Sequence, residues 1–274
     1  MGYNDRVKSY WNDKENMSRK AKQHVIEMDD DFEEEIKKCV DNSRIYLEDF
    51  KGEKIREGVD QSVEFLNTGT VEAIFEEDYD GKVAVLNFAS FKYAGGGFLS
   101  GSIAQEECLC HSSYLYNVLV NFESDYYSMN RRSLNRALYS NRAIYTEGVR
   151  FFDDVGDSKV VDVITCAAPN KRAAMKYNSV PTEENGVYLR ERIKFILNIA
   201  EKENVDVLIL GAFGCGVFAQ KPEEVALYFL ENLDRRKRFK RVIFAVPGKD
   251  VNTIVFKNAI EKYNSKEQEV GYRT

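Results

Sequence analysis

Hydrophobic and polar positions in the second half of the chain predict strands and helices in turn. Short runs rich in β-branched residues predict buried strands at 160–168, 205–210 and 241–246. Apolar residues recur at helical spacing from about Thr182 to Glu203, and Pro222 begins a second helical segment. Asp250 is expected to cap a last helix. This order predicts an α/β fold with parallel strands and right-handed crossovers, and with helices on both faces of the sheet.

The hydrophobic pattern of the first half is less regular. The run at 83–88 predicts a strand buried on both faces, and the run at 71–75 predicts another strand. We expect a helix over 108–122 and two short strands on either side of Gly148. The strands among these elements would extend the same sheet.

The N-terminal region is highly charged and has no strong apolar run. An acidic block from Glu27 leads into apolar residues at helical spacing, which predicts a solvated helix. We therefore expect a helical extension over residues 1–70 that packs on a core of residues 71–274. No linker composition divides the chain, so the two parts are expected to form one structural unit.

Charge and cysteine usage narrow the possible partners and location. The 274 residues carry 39 Lys and Arg against 45 Asp and Glu, a formal net charge of −6. No sequence-specific binding to nucleic acid is expected, and a polyanionic ligand would have to be held by local groups. The sequence has no run of 18 apolar residues and a polar start, so neither a membrane span nor a secretory signal is expected. Five scattered cysteines are typical of a reducing compartment, which predicts a cytoplasmic protein, or a nuclear one in a eukaryote.

A glycine-rich loop follows the strand predicted at 83–88. Gly95, Gly96 and Gly97 are consecutive, and Glu106 and Glu107 follow at the expected start of a helix. Glycines allow a backbone to approach a ligand closely and to point N–H groups at phosphate oxygens. One glutamate is then a candidate general acid, with its neighbour binding a hydroxyl, although acids at a helix start also simply complement the helix dipole.

A second glycine loop follows the strand predicted at 205–210. This candidate phosphate cradle precedes the helix at Pro222 and comprises Gly214, Cys215, Gly216, Val217 and Phe218. It also matches the dinucleotide pattern Gly-x-Gly-x-x-Ala, which leaves a nicotinamide-dependent oxidoreductase as an alternative. Asp234 lies about 20 residues on but at the end of a helix, a poor position for binding ribose.

Metal chemistry is not indicated. Cys108, Cys110 and His111 are close in sequence, but the chain has only two histidines and no second Cys/His cluster. We therefore expect no metal and no cofactor. Cys215 has no histidine near it in sequence and is explained equally well as a small residue beside phosphate.

Together the two loops resemble the microbial poly(ADP-ribose) glycohydrolase family. The resemblance rests on Gly95–Gly97 followed after seven residues by Gln105, Glu106 and Glu107. Three more segments agree with the family: 85–90, 144–152 and 164–170. The resemblance implies a macrodomain-like three-layer α/β/α sandwich with a mixed, largely parallel sheet. It also implies a hydrolase that reverses ADP-ribosylation and needs no cofactor.

The resemblance also implies roles for particular residues. Glu107 would be the general acid/base, Glu106 would hold ribose hydroxyls, and Gln105 would brace the loop. The two glycine loops would wrap the diphosphate, with Phe218 against the distal ribose and with Asn87 and Ser90 near the ribose. The partners would be poly(ADP-ribose) or ADP-ribosylated macromolecules, with ADP-ribose as product and exo-acting cleavage. A hydrolase of mono-ADP-ribosyl groups on protein or nucleic acid and a non-catalytic ADP-ribose-binding macrodomain remain alternatives.

Overall fold

The computed structural model describes residues 3–52, 60–234 and 238–271, and the side chains of residues 13–52, 60–234 and 238–266 within them. The described helices are α1 Tyr3–Asn42, α2 Thr70–Phe75, α3 Gln105–His111, α4 Leu115–Leu119, α5 Ser128–Arg132, α6 Lys171–Asn178, α7 Thr182–Lys202, α8 Pro222–Asp234 and α9 Val251–Gly271. The described strands are β1 Arg44–Tyr46, β2 Ser62–Leu66, β3 Val83–Phe88, β4 Ala143–Phe152, β5 Ser158–Cys166, β6 Val207–Leu210 and β7 Arg241–Ala245.

The strands form one sheet in the order β1-β4-β5-β3-β6-β7-β2. The pairs β5·β3, β3·β6, β6·β7 and β7·β2 are parallel, whereas β4 runs antiparallel to both β1 and β5. This confirms the mixed, largely parallel sheet. Because the carboxyl ends of the parallel strands lie at one edge, the loops after β3 and β6 are neighbours in space.

Two apolar layers cover the sheet. Leu86 of β3 faces a core shared with α7, α8 and α9, and the adjacent Val85 faces a second core shared with α1 to α4. The alternation of side chains along a strand separates these layers. The predicted three-layer sandwich is therefore confirmed.

The predicted strand at 71–75 is wrong. These residues form helix α2, which buries Thr70, Ala73 and Ile74 at helical spacing and has Glu72 in its first turn. The short β-branched run was ambiguous, and burial on one helical face decided the outcome.

Two further expectations need correction. The helix expected over 108–122 is divided between α3 and α4, with a 3₁₀ turn over Val120–Phe122. The two strands around Gly148 are one strand, β4, with a register shift between Thr146 and Val149. Gly148 lies in this bulge with a φ of +80°. In the sequence such a glycine also indicates a turn, which explains why two strands were predicted.

Residues 1–70 are not helical throughout. Helix α1 ends at Asn42, and β1 and β2 add one strand at each edge of the sheet. Both were missed because β1 has three residues and β2 is a half-buried five-residue edge strand. The domain boundary at residue 70 stays a prediction. No helix among the described residues is long and apolar enough to cross a membrane.

Candidate active site

The first glycine loop brings its backbone against the two glutamates. Gly95 and Gly96 have φ values of +63° and +57°, in the left-handed region that glycine adopts without a steric penalty. A Cβ atom on Gly96 would lie 2.7 Å from Oε2 of Glu106 and 2.8 Å from Oε1 of Glu107. Both carboxyl groups therefore face the same glycine, at a distance that only a residue without a side chain permits.

Glu106 is a buried carboxyl with few partners. Its Oε2 accepts a hydrogen bond of 2.7 Å from the Ser90 N–H, and its Oε1 lies 3.4 Å from Nδ2 of Asn87. Burial raises the pKa of Glu106 to about 8. At neutral pH this carboxyl holds a proton and can donate a hydrogen bond.

Glu107 lies beside Glu106 in the first turn of α3 and is also buried. Its Oε1 accepts a hydrogen bond of 2.7 Å from the Gly97 N–H. Backbone and carboxyl thus hold each other in place: the loop fixes Glu107, and Glu107 fixes the loop. The predicted association of the triple glycine with the glutamate pair is present in the structure.

Gln105 connects the start of α3 to strand β3. Its Nε2 donates to the Leu86 carbonyl at 2.8 Å and to Oγ1 of Thr70 at 3.1 Å, while its Oε1 accepts from the Phe88 N–H at 2.8 Å. The bonds to Leu86 and Phe88 satisfy backbone groups of β3 beyond its last pair with β6. Gln105 therefore braces α3 against the strand, and Thr70 is a partner that the sequence did not indicate.

Asn87 and Ser90 support Glu106 from the other side. Asn87 is fully buried on β3, and its Nδ2 also lies 3.3 Å from Oγ1 of Thr165 on the neighbouring β5. Ser90 Oγ accepts from the N–H groups of Lys92 and Tyr93, each at 3.2 Å. The hydroxyl of Ser90 stabilises the turn, and its N–H holds the carboxyl. Thr165 lies within the family-like segment 164–170, but its contact with Asn87 requires knowledge of strand order.

The second glycine loop is tightly packed at its base and exposed at its tip. Gly214 has a φ of +75°, and a Cβ atom there would lie 2.7 Å from that of Ala168. Gln220 closes the loop by donating to the Pro169 carbonyl at 2.7 Å and pairing with the Asn185 amide. Val217 at the tip is 70% exposed. The loop therefore has a base that is fixed by packing and a tip that is open to solvent, as expected of a loop that binds a ligand.

The Cys215 thiol is not prepared to act as a nucleophile. Burial raises the pKa of this thiol to about 12, so it stays protonated at neutral pH. A neutral thiol adds no negative charge to a loop that would face phosphate. This agrees with the interpretation of Cys215 as a small residue in the cradle.

An aromatic stack joins the two loops. Tyr139 lies parallel to Phe91 with ring centroids 4.1 Å apart and meets Phe218 edge-on at 6.2 Å. The buried guanidinium of Arg192 holds the Tyr139 segment by donating to backbone carbonyls, including that of Ala167. Tyr139 and Arg192 were missed because neither lies in a motif. They act through the packing of distant segments.

A cleft with a cavity volume of about 910 Å³ lies beside the site, lined by Gln105 but not by Glu106 or Glu107. At the carboxyl ends of the strands it is lined by Phe88, Ala212, Val246 and Pro247, and it reaches Gln105 beside the glutamate pair. Its lining there is mainly apolar, which suits a flat organic group more than a phosphate.

The cysteines next to the site do not form a metal centre. Cys108 is exposed, whereas Cys110 is buried with its Sγ against Gly95. Within the described residues, no group of three or more His, Cys, Asp or Glu side chains is placed to hold a metal ion. Asp234 lies at the far end of α8 from the second glycine loop, so the dinucleotide pattern lacks its acidic ribose partner.

Comparisons with known proteins agree with this geometry. The family model described as the catalytic domain of microbial-type PARG, poly(ADP-ribose) glycohydrolase, matches residues 14–154. A poly(ADP-ribose) glycohydrolase structure from Thermomonospora curvata is 29% identical, with a TM-score of 0.80, and the match covers 91% of this chain and 99% of that one. One from Deinococcus radiodurans in complex with ADP-ribose is 32% identical, with a TM-score of 0.76, and the match covers 83% and 97%. The comparison with curated protein sequences gave no significant match.

The macrodomain-like sheet and the glutamate pair facing a triple glycine define a glycohydrolase of the macrodomain class. Within that class, the chain belongs to the microbial-type poly(ADP-ribose) glycohydrolase family. The T. curvata enzyme has also been solved with the inhibitor ADP-HPD, at 30% identity and a TM-score of 0.78.

Proposed function

We propose that this poly(ADP-ribose) glycohydrolase cleaves the ribose–ribose O-glycosidic bonds of its polymer with Glu107 as general acid/base. One observation carries the proposal: the buried carboxyls of Glu106 and Glu107 both face Gly96, the middle residue of the triple glycine. A sugar seated on that loop would be within reach of both groups. Glycine brings the backbone of the loop against both carboxyls, and helix α3 supplies the acid.

The proposed reaction is a proton transfer followed by attack of water. Glu107 gives its proton to the oxygen of the leaving ribose as the bond from that oxygen to the anomeric carbon breaks, and the bonding pair stays with the oxygen. Water then attacks the same carbon and returns a proton to Glu107. The two glutamates are adjacent in α3, so they cannot stand on opposite sides of one bond. The second charge would come from the substrate's own diphosphate, which would stabilise the positive charge that develops.

Glu106 has a different role from Glu107. Its proton at neutral pH lets it donate to one ribose hydroxyl, while its second oxygen is held by Ser90. The backbones of the two glycine loops would wrap the diphosphate, and Phe218 would pack against the distal ribose. The apolar cleft beyond Gln105 then offers a place for the adenosine end.

We infer exo cleavage, with ADP-ribose released from chain ends. The base of the second glycine loop is fixed by Gln220, and α8 begins two residues later at Pro222. The loop therefore has little slack with which to open a channel for an internal unit. Removal of ADP-ribose units in this way would reverse ADP-ribosylation.

The experiment uses three substrates with the purified wild-type protein: defined polymer, mono-ADP-ribosylated peptide and ADP-ribosylated DNA. We expect ADP-ribose monomer from the polymer at the earliest times and little product from the other two. Early multi-unit fragments would contradict the exo assignment. Faster release from the peptide or the DNA would favour a mono-ADP-ribosyl hydrolase, and binding without any cleavage would favour a non-catalytic macrodomain.

We infer a reducing, cytoplasmic location from the cysteines. All five are free thiols, and burial raises the pKa values of Cys110 and Cys166. Protonated, buried thiols are stable without oxidation, as expected of an intracellular enzyme. Fractionation of cells that express the tagged chain would test this, and recovery outside the cytoplasmic fraction would contradict it.

A further inference from the structure

The backbone of Tyr93 belongs to the turn that Ser90 stabilises, but its side chain takes no part in the site described so far. Its N–H donates to Oγ of Ser90 at 3.2 Å, and its carbonyl accepts from the Gly96 N–H at 3.2 Å. The Ser90 N–H in turn holds Glu106. The Tyr93 side chain is therefore carried by the short segment that joins one catalytic carboxyl to the glycine loop.

The Tyr93 ring is exposed and supported from one side. It is 57% exposed, although its backbone is fixed in the turn. The Arg131 guanidinium lies over the ring, 5.5 Å from its centroid, and donates to the Lys92 carbonyl at 2.6 Å. Arg131 also forms an ion pair with Glu123, which balances its charge. The result is an exposed aromatic ring beside the first glycine loop, held by the backbone of its turn and by Arg131.

We propose that Tyr93 binds the adenine of the ADP-ribose unit on the leaving side of the scissile bond. This inference rests on the proposed function, which seats the released unit between the glycine loops and leaves its neighbour outside them. Each unit of the polymer carries one adenine, and a base can stack on an exposed aromatic ring. Tyr93 thus determines specificity: it favours a polymer, in which a second ADP-ribose unit follows the scissile bond, over a single ADP-ribosyl group, which has no second unit.

The test compares Tyr93→Ala and Tyr93→Phe with Tyr177→Ala. Tyr177 is a matched control: it is 72% exposed with Lys176 over its ring at 5.0 Å, but it lies in α6. KM for polymer of several units and the affinity for ADP-ribose monomer are measured for each variant. We expect Tyr93→Ala to raise the polymer KM about tenfold, the effect of losing one base stack, and to leave monomer affinity within twofold, about the precision of the assay. Tyr93→Phe and Tyr177→Ala should match wild type.

Two results would overturn the inference. One is an unchanged polymer KM in Tyr93→Ala. The other is a loss of monomer affinity as large as the rise in polymer KM, which would show that the Tyr93 side chain stabilises the turn and does not bind the second unit. Failure of the proposed function is distinct, because then no variant, nor the wild type, would release ADP-ribose from polymer.

Discussion

At the scale of single residues, the site depends on a carboxyl group that folding keeps neutral. Glu106 is 4% exposed, and its pKa lies at about 8 instead of the ordinary 4.5. Between these two values the folded chain retains the Glu106 proton and the unfolded chain has lost it. The folded state then binds more protons, so this residue lowers stability as pH rises through that window.

Glu106→Gln should remove this pH dependence. We expect the melting temperature of the variant, relative to wild type, to rise by a few degrees between about pH 5 and about pH 8.5. Thermal unfolding at a series of pH values measures the difference. Glu33→Gln, which changes an exposed carboxyl of α1, is the control and should show no such trend. A pH-independent offset in Glu106→Gln would contradict the buried, protonated carboxyl.

The sequence indicated the chemical groups of the site but not their supports. The triple glycine, Gln105 and the glutamates are close in sequence, so their association follows from local geometry. Arg192 and Tyr139 are 53 residues apart, and they meet because Arg192 of α7 reaches the Tyr139 carbonyl in the segment before β4. No local signal encodes such a contact, so these supports had to be observed.

At the scale of elements, the loop between β3 and α3 works only if Gly96 lacks a side chain. Gly96→Ala would place a Cβ against both carboxyls and would force a left-handed φ on alanine. We expect a loss of about 1–3 kcal/mol in unfolding free energy and a loss of activity of at least about tenfold. Denaturant unfolding and polymer turnover measure the two effects.

Gly156→Ala separates backbone strain from the effect on the site. Gly156 also has a left-handed φ, of +96°, but a Cβ atom there would meet nothing within 4 Å. This variant should lose less stability than Gly96→Ala, because it adds strain without crowding, and it should keep full activity. Equal activity in the two variants would contradict the crowding of the carboxyls at Gly96.

The elements that the sequence predicted best were the long or fully buried ones. Strands β3 and β5 and helices α7 and α8 appear where their hydrophobic patterns indicate. The confirmed cap at Asp250 accepts a hydrogen bond from the Thr253 N–H at 3.2 Å. The failures at α2 and β1 involve segments of six and three residues. In such short segments tertiary packing outweighs local preference.

At the scale of the whole molecule, helix α1 connects the periphery of the fold to the catalytic loop. Ser18 Oγ donates to the Leu99 carbonyl at 2.6 Å, and Asn117 Nδ2 donates to the Val25 carbonyl at 2.8 Å. Gly101 packs so closely that a Cβ atom there would collide with the Lys14 carbonyl. The N-terminal helix is therefore part of the support of the site.

Gly101→Ala should test that support without touching the substrate. We expect the added Cβ to push α1 away from the loop. The free energy of unfolding should fall by about 1–3 kcal/mol, which lowers the melting temperature by several degrees, and polymer turnover should also fall. Thermal unfolding and the turnover assay are the measurements, with Gly156→Ala again as the control. If turnover matched wild type despite the lower melting temperature, α1 would stabilise the fold without supporting the site.

The assignment of Glu107 is tested most directly by one variant measured in two ways. Glu107→Gln keeps the size of the side chain and an oxygen for the Gly97 N–H but removes the transferable proton. We expect ADP-ribose affinity to stay within a few-fold of wild type and polymer hydrolysis to fall by about 10²–10⁴-fold, the usual contribution of a general acid/base. Hydrolysis at the wild-type rate by a Glu107→Gln protein that binds ADP-ribose normally would contradict this assignment.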